Sequence, residues 1–176
     1  METDAAVRAW VRAAEPEDAP AIRDVAVRAW WATYAGRMLD ETIERFLAVA
    51  YSEERIGVRI ERHEVLVAGV AREGRPWPAV AAFAEVAVHD DHLQLVSIYA
   101  LPEARGRGLG TALVEAVVAA HPDDDLAADV LLDNELAEPF YRARGFVPGD
   151  ELIDEILGEI VRERRWWLRA PRGGGG

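Results

Sequence analysis

The chain has 176 residues, of which 51% are hydrophobic, and its 32 acidic and 20 basic residues give a formal net charge of −12 and a pI near 4.8. This length and hydrophobic content predict one compact domain over residues 1–170, followed by a disordered glycine-rich tail at 171–176. The absence of cysteine excludes disulfides and cysteine-ligated zinc, and the negative charge argues against a protein that coats nucleic acid.

Two expectations about the setting of the protein also come from composition. The longest apolar runs are too short to cross a bilayer, and no signal peptide is recognisable, so we expect a soluble, cytoplasmic protein with no membrane partner. All twenty basic residues are arginine. An acid-rich chain without lysine is typical of a salt-loving organism, and a GC-rich genome gives the same lack of lysine. Both explanations stay open.

The first half of the chain predicts one strand, two helices and a pair of strands. Pro16 and the acids around it are typical of a helix start, and apolar residues recur at helical spacing after it. The two later strands flank a turn at 72–78 that contains glycine and proline. The predicted elements are a strand at Val7–Ala13, helices from Pro16 and at Asp40–Tyr51, and strands at Glu64–Ala71 and Ala79–Val88.

The second half predicts an alternation of strands and helices. The elements are a strand at Leu93–Ala100, a helix reaching about Ala120, a strand at Leu126–Leu132, a helix at Glu135–Arg144, an irregular segment at Pro148–Gly158 and a last clear strand at Glu159–Arg169. The order β-α-α-β-β-β-α-β-α-β-β indicates an α/β mixture, in which the central strand–helix–strand unit is a right-handed crossover.

The most distinctive segment is the glycine-rich "LPEARGRGLGTAL" between the strand and helix at the centre of the chain. A P-loop is excluded because no lysine follows the last glycine, and the glycine spacing does not fit a Rossmann fingerprint. The first N–H groups of a helix have no intrahelical partner, and glycine lets a bulky anion approach them. Arg105 and Arg107 add charge-assisted hydrogen bonds. The segment therefore predicts a pyrophosphate site, although a flexible turn that merely tolerates glycine stays open.

A second motif follows at Asp133–Phe146, where Asn134, Ala137, Phe140, Tyr141, Gly145 and Phe146 form the pattern N-x-x-A-x-x-F-Y-x-x-x-G-F. With "SIYALP" and "ARGRGLGTAL" before it, the sequence resembles the GNAT superfamily of acetyl-CoA-dependent N-acetyltransferases. The resemblance implies an α/β (α+β) fold with a mixed, mostly antiparallel sheet of about seven strands, whose central parallel strands splay apart, flanked by about four helices.

The resemblance also implies a binding site for acetyl-CoA as acetyl donor. The backbone of Ile98, Tyr99 and Ala100 would bond the pantetheine arm as a neighbouring strand would, and Asn134 would bond the pantetheine or its phosphate end. The pyrophosphate would be held by the loop and helix start, namely Arg105, Gly106, Arg107, Gly108, Leu109, Gly110 and Thr111.

The resemblance also implies direct attack of an amine on the thioester in a ternary complex, and the absence of cysteine, the most common acyl-carrying nucleophile, supports this. The resemblance places Tyr141 near the sulfur, where it would protonate the thiolate; the alternative is a packed helix aromatic. Glu85 is the candidate general base, because it lies on a central strand and could face the acceptor cleft. Relatives often carry a glutamate near the position of Gln94, and its absence here argues against a carboxylate base on a strand. A solvated or ion-paired carboxylate and a water relay are the alternatives. No metal is expected.

The acceptor amine belongs to a small molecule or a protein, and a homodimer is plausible for such a family. Trp30, Trp31 and Tyr34 are expected to build core, and one of them could wall the acceptor site. Two other functions stay open: an acyl-CoA-binding regulatory module with little activity, and a different nucleotide-phosphate binder. The absent lysine and the glycine spacing argue against the last.

Overall fold

The computed structural model describes residues 8–62, 64–71, 80–132 and 134–171. Within these ranges the chain forms seven strands and five α-helices. The strands are β1 (Arg8–Ala13), β2 (Val65–Ala71), β3 (Ala82–Val88), β4 (Leu93–Ala100), β5 (Leu126–Leu131), β6 (Val147–Ile156) and β7 (Glu159–Leu168). The helices are α1 (Ala19–Tyr34), α2 (Asp40–Ala50), α3 (Glu53–Glu61), α4 (Leu109–Ala120) and α5 (Ala137–Arg142).

All seven strands belong to one sheet with the order β1-β2-β3-β4-β5-β7-β6. The central pair β4–β5 is parallel and every other pair is antiparallel. A parallel pair needs a long connection, which α4 supplies here. The predicted α/β fold with a mixed, mostly antiparallel sheet is confirmed.

The two faces of the sheet bury separate cores. The first face packs against α1, α2 and α3, with side chains such as Ile22, Trp30 and Ile43 meeting Val67 and Phe83 of the sheet. The second face packs against α4 and α5. Its core contains Leu109, Leu113 and Val117 of α4, Tyr141 of α5, and Ala82, Ala84, Leu95 and Trp166 of the sheet. Successive residues of a strand project to opposite faces of the sheet, so neighbouring residues of one strand join different cores.

Helix α3 was not predicted. Its N-cap is Ser52, whose hydroxyl accepts a hydrogen bond from the N–H of Arg55 at 3.3 Å, and Glu53 and Glu54 occupy the first turn. Ile56 and Ile60, four residues apart, are the buried positions. A cap followed by acids is a recognisable start signal, but a glycine in the middle and a length of nine residues weaken the periodic pattern.

The prediction of an irregular segment at Pro148–Gly158 is wrong, because β6 occupies Val147–Ile156 and forms a hairpin with β7. The strand lies at the edge of the sheet and is mostly exposed, so burial imposes no alternation on it. Its register also shifts between Pro148 and Glu151, which hides a two-residue period further.

Other differences are small. The helix predicted at Glu135–Arg144 is shorter, because residues 135 and 136 form a turn before α5. The turn at 72–78, the first residues of the strands predicted from Val7 and Ala79, and residues 172–176 of the glycine tail lie outside the described residues. None of the described helices is long and apolar enough to cross a membrane.

Candidate active site

The central feature is an opening between the two parallel strands. Strands β4 and β5 pair only at Leu93↔Leu126 and Gln94↔Ala127. Beyond these positions β4 continues to Ala100, while the described part of the chain places no strand on its β5 side. The edges of both strands that face each other there are free of ladder hydrogen bonds. An extended amide-containing ligand can therefore bond to β4 in the manner of an added strand.

A β-bulge lies on β4 where the opening begins. Ser97 pairs with Glu85 of β3, but the next pair along is Leu95 with Val86, so Val96 has no partner across the ladder and its side chain is 50% exposed. The extra residue reverses the alternation of the strand. Leu95 therefore packs in the core of the second face, whereas Ser97 contacts Glu85, which shares the first face with Phe83.

The start of α4 presents a row of unbonded N–H groups at the same end of β4. The first hydrogen bond of the helix runs from the N–H of Ala112 to the carbonyl of Gly108. The N–H groups of residues 106–111 donate to no described residue. Together with the positive end of the helix dipole they form a site suited to an anion of several oxygens.

Gly106 and Gly108 shape this loop through their backbone. Their φ angles are +76° and +78°, a region that other residues adopt at a cost, and no atom lies within 4 Å of where a Cβ would stand on either. The open space is consistent with the prediction that glycine lets an anion approach.

Gly110 is a glycine for a different reason from the predicted one. A Cβ there would lie 2.6 Å from the ring of Phe140 on α5. The guanidinium of Arg144 covers this ring, with its central carbon 3.6 Å from the ring centroid, and also donates to the hydroxyl of Thr111. Gly110 therefore allows α4 and α5 to pack closely, and the Thr111 side chain is occupied within the protein.

The two predicted loop arginines are both exposed. Arg105 donates to the hydroxyl of Thr33 on α1 at 3.2 Å, which ties the loop to the first helix. Arg107 has no partner among the described residues, so its guanidinium is available to a ligand. Leu109 is buried in the core of the second face, which leaves only its backbone for binding.

Asn134 lies beside the end of β5 and close to α1. Its side-chain N–H group donates to the hydroxyl of Tyr34 at 3.5 Å, which is a weak contact. Its Oδ1 is buried and accepts from no described residue. A buried acceptor without a donor costs free energy, and an amide or hydroxyl of a ligand would satisfy it.

Tyr141 of α5 is buried, with 6% of its surface exposed, and its ring packs among Phe140, Phe146 and Trp166. The ring is thus a packed aromatic of the core, as one alternative expected. The hydroxyl has no hydrogen-bond partner in the described part of the chain, which is compatible with the predicted role as an acid. Burial raises the pKa of Tyr141, and the nearby Tyr34 and Asp129 raise it further. The hydroxyl consequently stays protonated at neutral pH.

Glu85 is buried in an ion pair. Both carboxylate oxygens lie 3.1 Å from Nη1 of Arg59 on α3, and one also accepts from the hydroxyl of Ser97 at 3.3 Å. Burial raises the pKa of Glu85, while Arg59 opposes this shift. The carboxylate is thus satisfied within the protein and 6% exposed. This environment is that of an ion-paired carboxylate, which is one of the alternatives that the sequence left open for Glu85.

The sequence analysis did not predict a cluster of polar side chains on the first face of β5 and β7. Asp129 of β5 and Arg165 of β7 form two hydrogen bonds of 2.7 Å, and Gln94 of β4 donates to Asp129 at 3.4 Å. Glu163 of β7 lies two residues from Arg165 and forms no hydrogen bond or ion pair with the residues that the structure describes. Only the strand pairing brings these residues together, and no spacing in the sequence marks them.

The predicted aromatic group behaves mainly as core. Trp30 is 3% exposed and stacks on Phe46, with the ring centroids 4.2 Å apart. Tyr34, at the end of α1, is also buried, but its hydroxyl reaches Asn134 and so borders the opening. No three His, Asp or Glu side chains of the described residues come together as metal ligands.

The model of the Acetyltransferase (GNAT) family matches residues 24–146, which is more than half of the chain. This stretch includes β4, the glycine-rich loop, α4, β5 and α5. A search of the curated proteins found no match.

Solved structures share the fold at low sequence identity. PaiA N-acetyltransferase from Thermoplasma acidophilum in complex with coenzyme A is 22% identical, with a TM-score of 0.72, over 89% of this chain and 98% of that one. The ribosomal-protein-S18-alanine N-acetyltransferase from Escherichia coli is 20% identical, with a TM-score of 0.65, over 96% and 99%. Apo YjaB from Escherichia coli is 19% identical, with a TM-score of 0.67, over 93% and 99%.

Proposed function

Since this chain belongs to the Acetyltransferase (GNAT) family, we propose that it transfers an acetyl group from acetyl-CoA to an amine of a small molecule or protein. The observation that carries the proposal is the free edge of β4 leading to the unbonded N–H groups at the start of α4. The free strand edge can bond an amide-containing arm, and the N–H groups that follow it can bind an anion. This arrangement suits a ligand in which such an arm is joined to a diphosphate.

The residues present fit coenzyme A. The N–H groups of residues 106–111 and the guanidinium of Arg107 bind the diphosphate, and the backbone of Ile98–Ala100 bonds the amides of the pantetheine arm. The buried Oδ1 of Asn134 accepts from the arm. The coenzyme A complex of the Thermoplasma acidophilum N-acetyltransferase, which shares this fold, supports the same ligand here.

The chemistry follows from this placement. An amine attacks the carbonyl carbon of the thioester, a backbone N–H of the Ile98–Ala100 segment stabilises the oxyanion, and the C–S bond breaks. Tyr141 protonates the departing thiolate, which its raised pKa allows because the hydroxyl keeps its proton until it is needed. A base must take a proton from the amine, since an ammonium ion is not a nucleophile. Glu85 is the candidate that the sequence offers.

Cofactor binding is tested by unfolding in urea. Acetyl-CoA at about one hundred times its dissociation constant should raise the free energy of unfolding by roughly 2.7 kcal/mol. Gly108→Val should abolish this effect, because its side chain occupies the open space and its φ of +78° disfavours a β-branched residue. Normal stabilisation of the Gly108→Val variant would place the diphosphate elsewhere.

Transfer is tested by the release of free thiol from acetyl-CoA in the presence of a panel of amines. Release that depends on one class of amine supports the enzyme and identifies the acceptor. Tight binding of acetyl-CoA without release from any amine would instead indicate an acyl-CoA-binding module. A protein stabilised by ATP or NAD but not by acetyl-CoA would be a different nucleotide binder.

A further inference from the structure

Glu163 is placed by the pairing of β7 with its two neighbours. It lies directly opposite Leu131 of β5 on one side and Leu152 of β6 on the other. Directly opposite residues of antiparallel strands project to the same face, and Leu131 packs in the core of the first face with Val161 of β7. The Glu163 side chain therefore projects to the face covered by α1 and α2.

This position borders the opening between β4 and β5. The last pair of β4 with β5 is at Ala127, so Leu131 belongs to the part of β5 that has separated from β4. The charge of Glu163 acts on the hydroxyl of Tyr34, which in turn contacts Asn134 at 3.5 Å. Glu163 thus lies one strand away from the free edge of β5, on the face of α1.

Glu163 is also chemically available. The acids on the first face of β5 and β7 are Asp129, Glu159 and Glu163. Asp129 is held by Arg165, and Glu159 accepts from the N–H of Leu39 at 3.4 Å. Glu163 forms no hydrogen bond or ion pair with any described residue, so its oxygens are free to accept a proton.

The surroundings of Glu163 raise the pKa of its carboxyl group. Burial and the carboxylates of Asp129 and Asp154 raise the pKa of Glu163 to about 7, and the guanidinium of Arg165 opposes the shift only in part. Tyr34 of α1 also faces Glu163; burial raises the pKa of Tyr34 to about 12, so its hydroxyl is neutral at pH 7. A base with a pKa near the working pH is the most effective in proton transfer.

We propose that Glu163, and not Glu85, accepts the proton of the acceptor ammonium, directly or through one water molecule. This rests on the proposed acetyl transfer. The ammonium loses one proton to Glu163, and the nitrogen lone pair then forms the C–N bond as the C–S bond breaks. The thiolate takes a proton from Tyr141, the second proton of the nitrogen restores the Tyr141 hydroxyl through water, and Glu163 releases the first proton to solvent, so that one proton in total is released.

The base and the acid lie on opposite faces of the sheet. Glu163 projects to the face of α1, whereas Tyr141 packs in the core of the second face with Trp166. The opening between β4 and β5 is the passage between them. An amine can therefore attack from one face while the sulfur is protonated from the other.

The first test needs no substrate. In a protein whose glutamate carboxyl carbons are labelled with ¹³C, the signal lost in Glu163→Gln identifies Glu163, and its shift is followed against pH. The expected midpoint is about 7. A midpoint below about 5.5, near that of an ordinary glutamate, would overturn the assignment whatever the activity of the protein.

The second test is the pH dependence of kcat/KM with an amine that the wild-type protein acetylates. Wild type should lose activity as pH falls through about 7, because Glu163 becomes protonated. Glu163→Gln should lower kcat by at least about 100-fold with an unchanged dissociation constant for acetyl-CoA. The residual kcat/KM of this variant should no longer fall as pH decreases through about 7; this fall is called the limb near pH 7 below.

Two variants serve as matched controls. Glu159→Gln, on the same strand and face, and Glu85→Gln should both retain the limb near pH 7. A limb that persists in Glu163→Gln, or that disappears in Glu85→Gln alone, would overturn the proposal while leaving acetyl transfer intact. A wild-type protein that binds acetyl-CoA and transfers to no amine would overturn transfer and base together.

Discussion

The hydroxyl of Ser97 on β4 donates to the carboxylate of Glu85 on β3 at 3.3 Å, next to the residue that has no partner in the ladder. Arg59 of α3 binds both oxygens of the same carboxylate. The bulge that begins the opening is thereby tied to a helix of the first face. This contact ties Glu85 to the position of β4, and its role as proton acceptor stays a prediction.

Removing this carboxylate should destabilise the protein. Glu85→Ala leaves the guanidinium of Arg59 largely buried and without its partner, and we expect a loss of roughly 3 kcal/mol in the free energy of unfolding. Urea denaturation measures it. The control is Glu138→Ala, which breaks an exposed pair with Arg142 and should cost less than about 1 kcal/mol. Equal effects of the two variants would contradict a structural role for Glu85.

The contact of Gly110 with Phe140 predicts a non-additive pair of substitutions. Gly110→Ala brings a methyl group to within 2.6 Å of the Phe140 ring, which is also in contact with the guanidinium of Arg144. We expect a loss of about 1–3 kcal/mol in the free energy of unfolding. In a Phe140→Leu background the same substitution should cost clearly less. An equal cost in both backgrounds would show that the ring is not the obstacle.

Tyr141→Phe separates chemistry from binding. The hydroxyl has no hydrogen-bond partner among the described residues, so its removal should change the free energy of unfolding little. Turnover should fall by about 10²–10⁴-fold if the hydroxyl protonates the thiolate, and the dissociation constant for acetyl-CoA should stay the same. Thiol release and calorimetric titration measure the two quantities. Unchanged turnover would leave Tyr141 as a packing residue.

Asn134→Ala should weaken cofactor binding without loosening the fold. The Oδ1 atom is buried without a donor in the described part of the protein, so it contributes no hydrogen bond to the free state. Loss of one hydrogen bond to the cofactor corresponds to about a tenfold rise in the dissociation constant. The control Glu135→Ala changes the adjacent, exposed side chain and should bind acetyl-CoA as wild type does. Equal affinities would exclude Asn134 from the binding site.

The raised pKa of Glu163 also predicts how stability depends on pH. Folding raises this pKa from 4.5 to about 7, so between these values the native state binds more protons than the unfolded state. The contribution of Glu163 to the free energy of unfolding therefore falls as pH rises through this window. Glu163→Gln should be more stable than wild type at pH 8, and the difference should shrink towards pH 5.5. Urea denaturation at both pH values measures it. A variant less stable than wild type at pH 8 would show that the ionised carboxylate is stabilised by the fold.

Local patterns in the sequence predicted most of the fold. The runs that became β2 to β5 are mostly apolar because both faces of the sheet are covered there, and the helices α1, α2 and α4 follow a helical period because one of their faces is buried. β6 did not follow such a pattern, since an exposed edge strand has no buried face to select one. α3 has a capping serine, but it is short and interrupted by Gly57.

The glycine-rich loop and the Asn134–Phe146 motif were identified from the sequence because the residues of each are contiguous in the chain. The opening between β4 and β5, the bulge at Val96, the ion pair of Glu85 with Arg59 and the free carboxylate of Glu163 required the tertiary structure. These features depend on which strand lies beside which and on the register between them. Burial and neighbouring charge then set the protonation of each carboxyl group, and neither can be read from the order of the residues.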